Sequence, residues 1–235
     1  MNTQFILLWL EGPLQSWGFD SKFDRRDTLQ FPTKSGILGL VCSALGASGE
    51  QKEFLAEMAN LRQSVLAFSR SEKNAGLIPF LRDFQMIGSG YNENDPWEKL
   101  LKLKKNDGGS PTNNPGTKLT YRYYLQDACF AVALEVPSGK VQDISDALQS
   151  PVYDVYLGRK SCKPTDIIFR GVFATLEKAE ERALCIANEP EKNMVLKFKV
   201  IDGEHDGETM TLNDVPIRFG PIKKYRDRQV TVITV

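Results

Sequence analysis

Hydrophobic positions appear first as a short continuous run. Phe5-Ile6-Leu7-Leu8-Trp9-Leu10 is apolar throughout and stops at Glu11-Gly12-Pro13, a turn signal. Such a run predicts a strand buried on both faces. Phe31 to Leu40 predicts a helix start, with Thr33 or Ser35 as the capping residue and helical spacing of the apolar positions after it. Gln51 to Leu61 predicts a second amphipathic helix, and Ser64 to Arg70 alternates as a half-buried strand does. Phe80 to Gly88 is another strand candidate. From Ser89 to Lys118 the chain is dense in Asn, Gly, Asp, Ser and Pro and includes Trp97-Glu98-Lys99-Leu100-Leu101-Lys102-Leu103-Lys104-Lys105. Loops of that length in a compact domain are functional or disordered. A strand leaving at Phe84 and returning at Thr120 makes a long β-arm. Further on, Cys129 to Val136 predicts a strand, Val141 to Gln149 a short helix, Pro151 to Cys162 an irregular basic loop and Gly171 to Ala187 a helix rich in Glu and Ala. Met194 to Ile201 and the last residues before Val235 read as strands. This order predicts an α+β chain with a mixed or antiparallel sheet, which a ferredoxin-like or RRM-like core with insertions satisfies.

Composition narrows the class. The 235 residues carry 30 Lys+Arg against 30 Asp+Glu, with one His and four Cys. The balance argues against coating nucleic acid by bulk charge, though not against a local basic groove. The cysteines, Cys42, Cys129, Cys162 and Cys185, lie 87, 33 and 23 residues apart, so no zinc-ligand spacing exists and a reducing compartment is expected. A triad could use only His205, which sits in the acidic turn Asp202-Gly203-Glu204-His205-Asp206-Gly207. No cofactor or metal is expected. The N-terminal apolar run is too short for a signal h-region or a membrane span, so a cytoplasmic, soluble protein is expected.

The neutral total conceals local charge. Residues 176–214 hold ten acidic and five basic residues, a balance of −5. Residues 159–170 hold four basic and one acidic, giving +3, and residues 218–228 (Arg218, Lys223, Lys224, Arg226 and Arg228 against one acidic residue) give +4. If the two basic stretches converge they form a groove for a polyanion; the plainer reading is a solvated basic surface. Lys34 stands at the predicted helix start, where free backbone N–H groups suit phosphate, although on the residues alone a plain N-cap with a surface lysine is the favoured reading. Tyr121, Arg122, Tyr123 and Tyr124 combine aromatic faces with a guanidinium, as binders of unpaired bases do; the alternative is that alternate tyrosines pack into the sheet. No GxxxxGK[ST] or GxGxxG occurs.

Three segments carry a resemblance. Gly12-Pro13-Leu14-Gln15-Ser16-Trp17-Gly18, with an exposed-looking Trp, Phe31-Pro32-Thr33-Lys34-Ser35-Gly36-Ile37-Leu38-Gly39-Leu40 and Tyr156-Leu157-Gly158-Arg159-Lys160-Ser161-Cys162 together resemble the CRISPR-associated RAMP-type Cascade subunits of type I-E systems, the CasD family. Tyr123 to Ala128, Gly171 to Thr175 and Tyr225 to Arg228 support it. The resemblance implies a modified ferredoxin-like (RRM-like) RAMP fold in one domain over residues 1–235, with a β-hairpin thumb at about 84–122 and a C-terminal extension of the sheet at about 190–235. It implies a non-catalytic subunit that caps the 5′ handle of the crRNA, contacts the Cascade backbone subunit and the large subunit, and meets target DNA only through the assembled complex. By motif, Gln15, Ser16 and Trp17 would lie beside the handle, Lys34, Ser35 and Gly36 would meet its phosphates or bases, and Arg159, Lys160, Ser161 and Cys162 would form another wall. Arg122 on the arm and Arg226 and Arg228 near the C-terminus complete the expected RNA-binding set. The chain departs from many RAMP proteins in having only Gly220-Pro221 where a C-terminal glycine-rich loop is usual.

Two other readings compete. One is a metal-independent endoribonuclease that processes CRISPR precursor RNA, as a related branch does; it needs a general base near the 2′-OH, and His205 is a poor candidate in an acidic stretch that repels RNA. The other is a protein-interaction module whose basic surfaces meet acidic partners.

Overall fold

The computed structural model describes residues 2–19, 24–70, 78–87, 94, 96–97 and 118–235. Most of the arm beyond Ile87, with Lys99, Lys102, Lys104 and Lys105, lies outside the described residues. The first apolar run becomes β1 (Thr3–Glu11). The short strands β2 (Leu14–Gln15) and β3 (Arg25–Arg26) follow. Helix α1 (Lys34–Ala44) starts where Thr33, in extended conformation, accepts a hydrogen bond from the Gly36 N–H. Then come α2 (Lys52–Met58), β4 (Gln63–Ser69), β5 (Phe80–Ile87), β6 (Lys118–Gln126), β7 (Cys129–Pro137) and α3 (Val141–Gln149). The chain ends with β8 (Phe169–Phe173), α4 (Leu176–Ala187), β9 (Val195–Asp202), β10 (Glu208–Arg218) and β11 (Lys224–Thr234).

Seven strands form one sheet in the order β10-β11-β9-β4-β7-β1-β8, and every pairing in it is antiparallel. Helices cover both faces. Ile6, Leu8 and Leu10 of β1 join Val65 and Ala67 of β4 and Phe130, Val132 and Leu134 of β7 under α1 and α3. The intervening Leu7 and Trp9, with Leu66, Phe68 and Ala131, face α4, whose Ala183 and Ile186 meet them. Alternation along a strand sends successive side chains to opposite faces, so a strand covered on both sides has to be apolar at every position. β4 is interior too: six of its seven residues are buried, so the half-buried strand expected from its alternation is replaced by an interior one, and its two buried polar residues are hydrogen-bonded, Gln63 to the Pro32 carbonyl and Ser64 to Glu180.

Two further differences have clear causes. The helix expected from Gly171 begins only at Leu176, because Phe169–Phe173 pairs with β1 and Thr175 caps the helix by accepting from the Lys178 N–H. Strand β10 has no counterpart in the sequence pattern: Asn213, Asp214 and Pro216 are poor strand residues. It lies at the sheet edge, where a missing N–H costs little, and a register shift between Asn213 and Val215 absorbs the irregularity.

The second sheet is small. β6 is flanked on one side by β5, in register from Phe80↔Leu125 to Ile87↔Lys118, and on the other by β3 (parallel) and β2 (antiparallel). The β5–β6 ribbon carries exposed apolar side chains at Phe80, Phe84 and Met86. Among the described residues, no helix is long and apolar enough to cross a membrane.

Candidate nucleic-acid interface

An open cleft of about 650 Å³ lies beside α1. Ser16 and Trp17 form one wall, Ser35, Gly36 and Gly39 of α1 a second, and Tyr153, Tyr156 and Gly158 a third. Phe219, Lys223 and Tyr225, from the β10–β11 connection and the start of β11, complete it. Segments from all three sequence motifs therefore meet at one cleft. The C-terminal basic stretch reaches the cleft through Phe219, Lys223 and Tyr225, whereas the stretch from Arg159 to Arg170 starts just beyond the lining residue Gly158 and contributes no lining residue itself. The cleft floor along α1 is low because Gly39 has no side chain: a methyl group there would touch no atom within 4 Å. Gly36 plays a different part. A methyl group on it would lie 2.8 Å from the Trp17 ring, so glycine lets the indole pack against the helix.

The motif residues divide between the interior and the surface. Gln15 is fully buried; its amide donates to the carbonyls of Leu10 at 2.9 Å and Ala128 at 2.7 Å and accepts from the Trp17 indole at 3.1 Å. Trp17 is 1% exposed, a correction to its exposed appearance in a glycine-flanked loop. Ser16 is buried, and its hydroxyl donates to the Tyr123 carbonyl at 3.2 Å. Cys162 is fully buried, and burial pushes its thiol up from the ordinary value. Ser35 and Gly36 are half-buried on the cleft, and Lys160 and Ser161 are exposed on the turn beyond Gly158. Arg122 is half-buried on β6, opposite Asp83. Arg226 is exposed and donates to Asn60 Oδ1 at 2.7 Å.

Lys34 and Arg228 point inward. The Lys34 ammonium donates to the carbonyls of Ala59, at 3.1 Å, and Leu61, where α2 ends. Cations suit that end because the last helical carbonyls lack partners. Burial lowers the Lys34 pKa to about 8, against the pull of Asp202. Arg228 makes a fork with Asp214, Nε to Oδ1 at 2.7 Å and Nη2 to Oδ2 at 2.9 Å, and also pairs with Asp202. Asp214 Oδ2 in turn accepts the Lys34 backbone N–H at 2.8 Å. A carboxylate of the chain thus occupies the start of α1, where sequence reasoning expected a phosphate. The Lys34 side chain and the backbone N–H groups of Lys34 and Gly36 are taken by the fold itself.

The loop wall is anchored from behind. Lys192 bridges Glu11 at 2.6 Å and Asp166 at 2.7 Å and lies 5.3 Å from the Trp9 ring. Burial pushes the Glu11 carboxyl up, but hydrogen bonds from Lys192 and Trp9 outweigh it and hold the group below its usual range. His205 is exposed in the β9–β10 turn and does not line the cleft. Among the described residues, no group of three or more His, Cys, Asp or Glu is placed to hold a metal. Sequence reasoning missed Tyr153, Tyr156 and Tyr225 as cleft residues. Their signal was aromatic residues embedded in or next to the basic stretches, and burial raises the Tyr225 phenol above its ordinary value.

Residues 5–232 match the family described as CRISPR-associated protein (Cas_Cas5), and the chain belongs to that family. It is 30% identical over 232 residues to the CRISPR system Cascade subunit CasD of Escherichia coli (strain K12), covering 97% of this chain and 95% of the relative. A chain of a solved CRISPR RNA-guided surveillance complex superposes with a TM-score of 0.72 at 28% identity, covering 98% of this chain and 90% of that one. A second solved structure, described as a Cas protein, shares the fold with a TM-score of 0.58 at 24% identity, covering 98% and 94%.

Proposed function

We propose that the chain is a non-catalytic RNA-binding subunit of a type I-E Cascade complex and holds the 5′ handle of the crRNA in the cleft beside α1. The observation that carries this is the convergence of all three motif segments with Lys223 and Tyr225 of the C-terminal basic stretch on one aromatic cleft, in a chain similar over nearly its whole length to a Cascade subunit. Tyrosine faces there suit unpaired bases, Lys223 suits their phosphates, and the exposed Lys160 two residues beyond Gly158 is a further candidate. Ser35, Gly36, Ser161, Arg122 and Arg226 are the further contact candidates at the surface. Gln15, Lys34, Cys162 and Arg228 hold the cleft's walls from inside, and Ser16 and Trp17 present only their edges.

In this reading the seven-stranded sheet is a modified ferredoxin-like (RRM-like) core. The β5–β6 ribbon is the root of a thumb at about 84–122, and the strands from about residue 190 extend the sheet within a single domain. The subunit works in the cytoplasm, contacts the backbone subunit and the large subunit, and meets target DNA through the assembled complex. The absence of His205 from the cleft supports a scaffold over a nuclease, because metal-free cleavage needs a base within hydrogen-bond reach of the 2′-OH.

The test is to co-express the chain with its neighbouring Cas subunits and a CRISPR array, purify the assembly and sequence its RNA. Guide-dependent assembly and an uncut repeat RNA after incubation of the isolated chain in EDTA are expected. Assembly that survives nuclease removal of the RNA would favour a protein-interaction module. A single cut at the handle boundary, lost in His205→Ala, would favour the nuclease.

A further inference from the structure

Strand β6 has a gap on one edge. Its flank facing away from β5 is paired by β3 at Tyr121 and Arg122 and by β2 at Leu125 and Gln126, which, among the described residues, leaves Tyr123 and Tyr124 between them outside both registers on that flank. Two side chains fill the gap. Ser16 Oγ donates to the Tyr123 carbonyl, and Arg159 Nη1 donates to the same carbonyl at 3.3 Å. Arg159 Nη2 donates to the Arg26 carbonyl at the end of β3 at 2.8 Å, and the guanidinium carbon stands 4.7 Å from the centre of the Tyr124 ring. One planar fork therefore takes two backbone acceptors and an aromatic face, a combination that lysine's single ammonium does not reproduce.

The other end of this arginine is equally constrained. Its turn is closed by Cys162 N–H to the Arg159 carbonyl and by Leu157 N–H to the Cys162 carbonyl, both at 2.8 Å. The Ser16 N–H donates to the Leu157 carbonyl at 3.0 Å. Gly158, next to Arg159, has φ +95°, and a Cβ on it would lie 1.8 Å from the Ser16 carbonyl oxygen. The turn is thus seated on Ser16 at one side and on β6 at the other.

We propose that Arg159 is a positioning residue and not a phosphate ligand: it clamps the Leu157–Cys162 turn, a wall of the cleft, to the root of the β5–β6 ribbon and so fixes the ribbon's angle to the bound RNA. The functional part of this rests on the RNA-binding reading of the cleft; the clamp itself does not.

The test uses the full chain with Arg159→Lys and Arg159→Ala, and two readouts. The first is amide hydrogen exchange at Tyr121 to Leu125. The second is affinity for a synthetic copy of the RNA recovered from the assembled complex, measured against salt concentration. Both variants are expected to speed exchange at those amides and to weaken RNA binding by a similar factor of roughly ten, with an unchanged salt slope. Arg159→Lys that binds as the wild type, with Arg159→Ala reducing the log–log salt slope by about 0.7, as loss of one single-strand phosphate contact does, overturns the proposal. Unchanged exchange in both variants overturns it as well, whatever the RNA does. If the wild type binds no RNA, the cleft reading fails, and exchange still decides the clamp. Ser16→Ala, which removes the other side-chain donor to the Tyr123 carbonyl without changing charge, is expected to speed exchange at the same amides to a smaller degree. It serves as the exchange test if the Arg159 variants do not fold.

Discussion

Replacing Arg228 by Met would leave two carboxylates without the cation that joins them. The Arg228 side chain is 11% exposed, that of Asp214 3% and that of Asp202 23%. Removing one member of a buried, hydrogen-bonded ion pair costs about 3–5 kcal/mol, because the remaining charge stays desolvated. Asp214 keeps the Lys34 N–H, and Asp202 keeps the Gln63 N–H at 2.9 Å and its partial exposure, so the lower end of that range, about 3 kcal/mol, is expected. At about 2–4 °C per kcal/mol for a chain of this size, Tm falls by roughly 6–12 °C. Adding Asp214→Asn, which removes the more buried charge and keeps an acceptor for the Lys34 N–H, should recover about half of that loss. The assay is thermal unfolding of the purified chain followed by circular dichroism, alongside RNA binding at several salt concentrations. The salt slope should not change, since the guanidinium faces the interior. A Tm within about 2 °C of the wild type, together with a shallower salt slope, would refute the reasoning and make Arg228 an RNA contact.

Lys34 supplies a pH prediction. Its folded pKa of about 8 lies below its ordinary 10.5, so between these values the unfolded chain binds more protons and stability rises with pH. Two and a half pKa units correspond to about 3 kcal/mol. The stability of the wild type relative to Lys34→Met, measured by denaturant unfolding, should therefore grow from pH 7 to 10; a flat difference refutes the burial argument. The two cleft glycines should separate. Gly39→Gln is expected to leave Tm unchanged or slightly raised, glycine being a poor helix former, while it blocks RNA binding by filling the floor. Gly36→Ala should lower Tm by displacing Trp17, and equal Tm values for the two variants would contradict this division. Gly158→Ala should move the turn off Ser16 and weaken both folding and RNA binding, since the side chain meets a backbone oxygen and sits at positive φ; native stability in that variant would show the turn to be free of Ser16.

Local pattern was enough for much of the framework. β1, α1 with its Thr33 cap, β7 and α3 follow from residues within a few positions of one another, and the motif spacing pointed to the family that the whole-chain match then showed. The sequence also marked the three motif segments that meet at the cleft, because each of the three carries glycine and the third adds a tyrosine and two basic residues. It could not say how deep each side chain lies. Lys34 is cationic and sits at a helix start, as a phosphate ligand would, yet its backbone N–H is taken by Asp214, 180 positions away, and its ammonium by carbonyls that end another helix. Arg159 lies in a basic loop, yet its fork closes a gap between two short strands. β10 became a strand only because an edge position was open to it. A charge or a proline has the same local propensity wherever it stands, while its cost and its role depend on partners brought close by the fold. Which residues carry charge was therefore decided by the sequence, and which of those charges remain available to a ligand was decided only by the tertiary structure.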